Sequence, residues 1–347
     1  MSFQFGDGFD CYATITDAVA GYWDGGTGGG ATLVTGRFSG SRAVLTPSAA
    51  TVLFFKNSGS NDAVHHIVVA FSTAQVIGGA SLGLGLQLFD GATAQCSIVF
   101  RTDGAIVLTS GTTGGATLTT YAGAVTATNT WYAFEFEIVI HNSTGRFRVR
   151  KNGNSVDDFD SGATLNTRGG TANNYANRLQ VGSASTFFVG AFDDLYWRSD
   201  TASVPWVGDI RCITRMPASD AAVQFSRNAG TSNFSCVDEP QQNTTTDYVF
   251  NSTPGHEDFY GIAAIASTPL QTHMLTTRAY MQKSDAGART AAVQLKSGAS
   301  VVASPTLALT SSGWLWAWRS DTVDPSTSAP WTAVAVNGVT VGPKTIA

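Results

Sequence analysis

Short runs of alternating apolar and polar residues, separated by turns that contain glycine or asparagine, fill most of this sequence. The clearest run covers residues 131–140, where the phenylalanines and isoleucines share one face and Glu135 and Glu137 share the other. A second run at 145–151 follows a polar turn, and Asn152-Gly153 supplies a turn of the kind that closes hairpins. Such runs recur at intervals of roughly ten residues with no helical pattern between them, which predicts antiparallel sandwiches.

The strand pattern is interrupted around residues 199–208 (SDTASVPWVG), where Pro205 lacks the N–H that a sheet ladder needs. It restarts at residue 209. We therefore predict an all-β protein with two antiparallel β-sandwich (jelly-roll) domains in tandem, over residues 1–204 and 205–347. The motif Trp-Arg-Ser-Asp-Thr occurs twice, at 197–201 and 318–322, and each copy is followed by a Pro-Trp pair. Duplication of a sandwich and independent reuse of one strand ending both explain this repeat.

Composition agrees with an all-β protein and argues against several classes of function. Apolar residues make up 43% of the 347 residues, which is enough for a large core, whereas only 13% are charged and 37 are glycine. Sparse charge disfavours helical bundles, and abundant glycine favours sheets joined by tight turns. A net charge of -5 without a basic patch argues against a nucleic-acid partner.

Targeting and redox features are few. No apolar run reaches about 18 residues, so we expect no membrane insertion. The first residues lack a basic region followed by an apolar run, so we expect no signal peptide. The cysteines are far apart without a Cys-x-x-Cys pair, and we expect them to be reduced packing residues.

Three segments of the first half together resemble the concanavalin A-like, laminin-G-like jelly roll. They are Phe5-Gly6-Asp7-Gly8-Phe9-Asp10, the hairpin over 131–153, and the closing Phe192-Asp193-Asp194-Leu195-Tyr196-Trp197. The resemblance covers residues 1 to about 204 of the chain. It implies that the first and last strands of the domain pair and that the middle hairpin lies in a curved front sheet.

The second half resembles a domain that follows such jelly rolls in virion proteins of tailed bacteriophages. The matching stretches are PWVGD at 205–209, VDEP at 237–240 with TDYV at 246–249, DAGAR at 285–289 and the segment from Asp324-Pro325 to Trp331-Thr332. This resemblance implies a non-enzymatic structural protein of the tail or baseplate, the neck spike or the capsid decoration. We therefore expect location in the virion and contacts with other virion proteins. Without a signal peptide, we expect synthesis in the host cytoplasm. We also expect a homo-oligomer, because contacts between subunits would cover the exposed edges of antiparallel sandwiches.

A paired-carboxylate motif raises the alternative of a polysaccharide-degrading glycanase. Glu135 and Glu137 lie about 6.6 Å apart by strand rise, near the separation of about 6.5–9.5 Å in inverting glycosidases. Glycanases with this jelly roll carry their essential acids four residues apart, however, and Val139 stands where the second acid would be. We predict no catalytic residue and no enzymatic activity.

Metal-binding candidates are confined to the closing strand. Asp193 and Asp194 are candidate calcium ligands, because laminin-G-like domains bind calcium through carboxylates and carbonyls. Strand alternation predicts that one of them is buried and the other meets solvent. His65 and His66 also point to opposite faces, so they do not share a metal. No other cofactor is expected.

Aromatic residues suggest a second alternative, a lectin-like module that binds host-surface glycans. Tyr22 and Trp23, beside a glycine-rich loop, are its candidate binding residues. Trp314, Trp316 and Trp318 alternate on one face, and they form either a glycan-stacking or protein-binding strip or part of a strand buried on both faces.

Overall fold

The computed structural model describes residues 3–19, 21–46, 51–74, 81–183, 190–241, 246–265 and 271–347. The chain divides into two units, and each is described by itself. Unit 1 comprises residues 3–9, Thr14–Val19 and Trp23–Ile213, and unit 2 comprises Asp10–Ala13, residues 21–22 and Thr214–Ala347. Unit 1 therefore extends past residue 204, because residues 203–212 bond to one of its own sheets.

The described part of unit 1 contains fourteen strands and one short helix. They are β1 (Phe3–Asp7), α1 (Ile15–Ala18), β2 (Thr32–Thr35), β3 (Arg42–Leu45), β4 (Thr51–Asp62), β5 (Val64–Thr73), β6 (Leu82–Asp90), β7 (Thr93–Arg101), β8 (Ile106–Ser110), β9 (Thr117–Tyr121), β10 (Tyr132–Val139), β11 (Arg146–Lys151), β12 (Phe159–Asp160), β13 (Ala176–Ser183) and β14 (Gly190–Asp200). An eight-stranded sheet has the order β12-β11-β10-β5-β14-β3-β2, with β1 also on β14. A six-stranded sheet has the order β4-β13-β6-β7-β8-β9.

Both sheets are antiparallel, and two predicted pairings are confirmed. β1 pairs with β14, so the first and last strands of the domain are neighbours, and β10 and β11 form the middle hairpin. The core lies between the sheets, where Phe100 of β7 contacts Phe71 of β5 at 4.3 Å and Phe134 of β10 at 5.6 Å between ring centroids. Each such buried ring stabilises the fold by roughly 1.5–3 kcal/mol.

The described part of unit 2 contains ten strands, one short α-helix and a 3-10 turn at Phe234–Cys236. They are β15 (Pro217–Ala222), β16 (Ser226–Arg227), β17 (Val249–Phe250), β18 (Phe259–Ile262), β19 (Leu275–Met281), β20 (Thr290–Ser297), β21 (Ser300–Ala303), β22 (Leu307–Ala308), β23 (Leu315–Asp321), α2 (Ala333–Gly338) and β24 (Thr340–Thr345). Its main sheet has the order β15-β18-β24-β20-β21, with β22 also on β20, and β16-β17 and β19-β23 form two small sheets. A core cluster joins Leu295 of β20 to Trp331, Val336 and Val339 around α2.

The predicted all-β class with antiparallel sheets is confirmed, since only short helical segments interrupt the strands of the described ranges. No helix in those ranges is both long and apolar enough to cross a bilayer. The four cysteines form no disulfide, and Cys11, Cys96 and Cys236 are buried.

Candidate functional site

A row of charged residues crosses the outer face of the eight-stranded sheet. The strand register places His66 of β5 beside Glu137 of β10, and Glu137 beside Arg148 of β11. Glu135 is similarly opposite Arg150. Because side chains alternate along a strand, the phenylalanines of β10 enter the core while its glutamates join this outer row.

A strap, defined as residues 203–212, runs over this row. The Ser203 hydroxyl donates a hydrogen bond to Glu137. The backbone N–H groups of Val207 and Gly208 each donate to Glu135, one to each carboxylate oxygen, at 2.8 Å. The strap thereby supplies hydrogen-bond donors to carboxylates that solvent would otherwise hydrate. The strand β5 beneath it is buried along its whole length.

Trp206 anchors the middle of the strap. The guanidinium carbon of Arg150 lies 4.4 Å from the centre of the Trp206 ring, and that of Arg148 lies 5.1 Å from it. The His66 ring meets the indole edge-on at 5.6 Å. Cation–π contacts of this kind gain strength as water is removed, so Trp206 both shields and stabilises the charged row.

The charges beneath the strap are almost fully buried. His66 is 1% exposed, Glu135 3% and Glu137 1%. His66 Nε2 lies 3.2 Å from a Glu137 oxygen, and its Nδ1 lies 3.8 Å from a Glu135 oxygen. Arg148 Nε donates to Glu137 at 2.7 Å. Asp157 accepts from Arg150 at 2.8 Å and from Arg148 at 3.3 Å.

These contacts shift the pKa values of Glu137 and His66 in opposite directions. Burial alone would raise the pKa of Glu137, but His66, Ser203 and Arg148 outweigh it and lower that pKa to about 2. Burial alone would lower the pKa of His66, but the two glutamates outweigh it and hold the pKa above its ordinary value. Both shifts favour the ion pair between protonated His66 and the ionised glutamates.

This arrangement is unsuited to acid–base hydrolysis. A general acid must hold a proton near the working pH, whereas Glu137 stays ionised far below neutrality. Glu135 has both oxygens bonded to strap amides. The predicted placement of the two glutamates on one face is correct, but that face is closed by the strap.

The closing strand β14 departs from the predicted alternation at Asp193 and Asp194. Both are buried, at 1% and 2% exposure, which corrects the expectation that one of them meets solvent. A bulge shifts the register between Asp193 and Tyr196, and Asp194 adopts a φ of 51° in the left-handed region. The side chains of two consecutive residues are therefore enclosed together.

The two aspartates bind protein donors. Asp193 accepts from the Arg37 amide at 2.9 Å, and Asp194 accepts from the Cys212 amide at 2.7 Å. The Arg37 guanidinium lies 3.7 Å from Asp194 and pairs with Asp209 of the strap at 2.5 Å. An arginine thus supplies the positive charge at this bend. No cluster of three or more metal-binding side chains occurs in the described ranges.

The structure corrects the expectation that Tyr22 and Trp23 are accessible to a glycan, because both are 0% exposed. The Trp23 indole donates to Asp7 at 2.9 Å within unit 1. The Tyr22 ring belongs to unit 2, where it packs edge-on against Trp318 and carries Arg278 over its face at 4.1 Å. The backbone of both residues lies in a turn or bend, but both side chains are buried.

The three alternating tryptophans lie at or beside β23, facing β19. Trp316 is buried, and Trp314 and Trp318 are partly buried. Tyr280 of β19 stacks on Trp314, with 5.5 Å between centroids and 24° between planes. At one end of this row of tryptophans, Tyr280 and Trp314 therefore form a stacked pair that is partly accessible.

Sequence reasoning missed the strap and the role of His66. The sequence pattern predicts a domain boundary at residues 199–208, because Pro205 interrupts the strand there. The available signal was the sequence Trp-Val-Gly immediately after Pro205, since an aromatic followed by glycine in a linker marks a segment that can pack closely on a surface.

No protein-family model and no curated protein sequence matches this chain. Similar solved structures include the carbohydrate recognition domain of Emp46p, with a TM-score of 0.33 and 8% identity over 50% of this chain and 88% of that one. The globular domain of T. cruzi calreticulin has a TM-score of 0.36 and 7% identity, covering 58% and 88%. The Caenorhabditis elegans galectin LEC-6 has a TM-score of 0.26 and 15% identity, covering 40% and 83%. TM-scores this low support no inference about what this chain binds.

Proposed function

We propose that this chain is a non-enzymatic structural protein of a tailed-bacteriophage virion that acts through protein–protein contacts. The bacteriophage assignment depends on the sequence resemblance of residues 205–347. Its non-enzymatic character is supported by the sheet face on which Glu135 and Glu137 lie. That face is where paired carboxylates first suggested hydrolysis, and the strap and the buried ion pairs occupy it.

The remaining surface features fit docking better than turnover. A groove of about 430 Å³ in unit 2 is lined mainly by serine, threonine, alanine and glycine, with Asp324 as its one acid. Large apolar side chains stand exposed at Val156, Val334 and Phe250. The sheet edges at β9 and β15 carry uncharged residues except Asp220, and neighbouring subunits would cover such edges. A homo-oligomer contacting other virion proteins follows from the proposal.

Quantitative mass spectrometry of purified particles tests this proposal. Particles produced from a genome that encodes this chain should contain it in a fixed, integral number of copies. A matched preparation from a genome with this reading frame deleted controls for contaminating protein. Absence of the chain from wild-type particles would refute the virion assignment.

Lectin-like attachment to host-surface glycans is a second candidate, supported by one observation. Tyr280 and Trp314 form a stacked, partly accessible aromatic pair in unit 2, and sugar rings pack on such surfaces. This pair replaces Tyr22 and Trp23 as the candidate glycan-binding residues.

A glycan array with the intact chain tests the second candidate. Trp314→Ala should abolish any signal, whereas Tyr248→Ala, which removes another partly exposed aromatic of unit 2, should leave it unchanged. A blank array, together with normal adsorption of a phage that carries Trp314→Ala, would rule out the attachment role.

A further inference from the structure

We propose that the strap contains a pH-dependent latch, in which protonated His66 keeps residues 203–208 on the sheet and loss of that proton releases them. This inference does not depend on the proposed function. It follows from the cations that pair with the two glutamates beneath the strap. Glu137 has both Arg148 and His66 beside it, whereas Glu135 has His66.

The charges around His66 balance only when His66 is protonated. Glu135, Glu137 and Asp157 face two guanidiniums, so the imidazolium supplies the third positive charge. In a nearly dry site, a buried charge without a partner of opposite sign is strongly destabilising. Removing the His66 proton therefore leaves one buried negative charge without compensation.

The groups that face His66 come from every neighbouring element. They are Glu135 and Glu137 from β10, Arg148 and Arg150 from β11, Arg198 and Tyr196 from β14, Asp157 from the turn after β11, and Ser203 and Trp206 from the strap. Arg198 is the register partner of His66, but its guanidinium is directed to Asp200 at 3.7 Å. The contacts of Glu137 lower its pKa and burial raises the pKa of Tyr196, so both shifts move these groups further from the titration of His66.

The two glutamates differ in what remains after His66 loses its proton. Glu137 keeps the Arg148 guanidinium at 2.5 Å. Among the described residues, Glu135 has His66 as its only cation within 4 Å, because Arg150 is engaged by Asp157. Glu135 is also the residue that binds the strap backbone through two amides. Water that hydrates the Glu135 carboxylate then competes with the Val207 and Gly208 amides that bind it.

The direction of the pH dependence follows from the raised pKa of His66. A raised pKa means that the folded, strapped state binds the proton more tightly than the unfolded state. The stabilisation is complete below the ordinary histidine value and is lost as pH rises through the raised value. Residues 203–208 are thus held on the sheet below the ordinary pKa of histidine and are released as the pH rises through the raised pKa of His66.

Hydrogen–deuterium exchange of the intact chain tests the latch between pH 5.5 and 9. After correction for intrinsic exchange rates, protection of the Val207 and Gly208 amides should fall at least tenfold across this range. Amides of Ile67 and Val69 in β5 should keep their protection and report that the sandwich stays folded. In His66→Gln, the strap amides should show low protection that does not vary with pH.

His141→Gln is the matched control, since it removes another histidine of unit 1 away from the strap and should keep the wild-type profile. If His66→Gln does not fold, Glu135→Gln serves instead and should also abolish the pH dependence at Val207 and Gly208. Wild-type strap protection that is independent of pH would overturn the proposal. A parallel loss of protection at Ile67 and Val69 would overturn it as well.

Discussion

Individual charged side chains hold the outer face of unit 1 together. Glu137 alone contacts His66, Arg148 and Ser203, which come from two neighbouring strands and the strap. Such a buried network is costly to assemble but also costly to break, because each member left behind would be an unpaired buried charge. Its value to the molecule lies in fixing where the strap sits.

Neutralising Glu137 tests this network. Glu137→Gln keeps the shape of the side chain but leaves Arg148 and His66 without their carboxylate. We expect a loss of about 3–5 kcal/mol in the free energy of unfolding of unit 1, measured by urea denaturation at pH 7. Asp160→Asn, which removes the exposed partner of Arg146 in the same unit, should cost at most about 1 kcal/mol. Equal losses in both variants would contradict this prediction.

Acid should weaken unit 1 through the same residue. The pKa of Glu137 is about 2 in the folded chain, against an ordinary value of 4.5. Its contribution is therefore complete above pH 4.5 and is lost as pH falls towards 2, a change of about 3 kcal/mol. Urea denaturation between pH 6 and 2 should show the wild-type advantage over Glu137→Gln shrinking by that amount. A constant difference across this range would refute the assignment.

At this scale, the sequence allowed half of the site to be predicted. Strand alternation correctly placed Glu135 and Glu137 on one face, because residues two positions apart in a strand point to the same side of the sheet. Their partners could not be predicted, because Ser203 and Val207 lie 66 and 72 residues away along the chain. Local pattern carries no information about contacts at such distances.

Among the elements, β14 shows how one irregularity changes the chemistry of a strand. Its bulge encloses both Asp193 and Asp194, and the Asp194 side chain accepts from the strap amide of Cys212. Regular alternation would have left one of these carboxylates in solvent. The bulge was not predictable from composition, since it arises from pairing with β5 on one edge and with β1 and β3 on the other.

The left-handed backbone of Asp194 gives a direct test of the bulge. Asp194→Asn should lower the free energy of unfolding by less than about 1 kcal/mol, because asparagine tolerates positive φ. Asp194→Val should lower it by about 2–3 kcal/mol, since a β-branched residue is strained there and the acceptor for Cys212 is lost. Chemical denaturation of the two variants measures both values. Equal effects would indicate that the bulge carries no strain.

For the whole molecule, the all-β class was predictable because strand periodicity is a local property. The domain boundary was harder to predict from the sequence, because Pro205 interrupts the strand pattern whether or not the chain then leaves the sheet. Here it stays on the sheet until residue 212, so unit 1 ends at Ile213. The early segments Asp10–Ala13 and 21–22 belong to unit 2, although they lie within the predicted first domain.

Truncation distinguishes the two boundaries. A fragment ending at residue 204 lacks the Val207 and Gly208 amides that bind Glu135, and hydrogen bonds to a charged group are each worth about 1.5–3 kcal/mol. We expect it to be less stable than a fragment ending at 213 by roughly 3 kcal/mol or more in urea denaturation. Extension to residue 222 should add nothing further and so controls for length. Equal stability of the 204 and 213 fragments would contradict the role of the strap.

The assignment of Asp10–Ala13 and residues 21–22 to unit 2 bears on how the chain is made. Tyr12 accepts a hydrogen bond from Arg278, 266 positions later. Trp318 donates to the carbonyl of Gly21, 297 positions earlier, while its ring packs against the Tyr22 ring. At ribosomal speeds of about 5–20 residues per second, these early aromatics wait about 15–60 s for their partners to emerge. During translation they are apolar groups without a core, and a chaperone or a neighbouring nascent chain can bind them before the protein closes on itself.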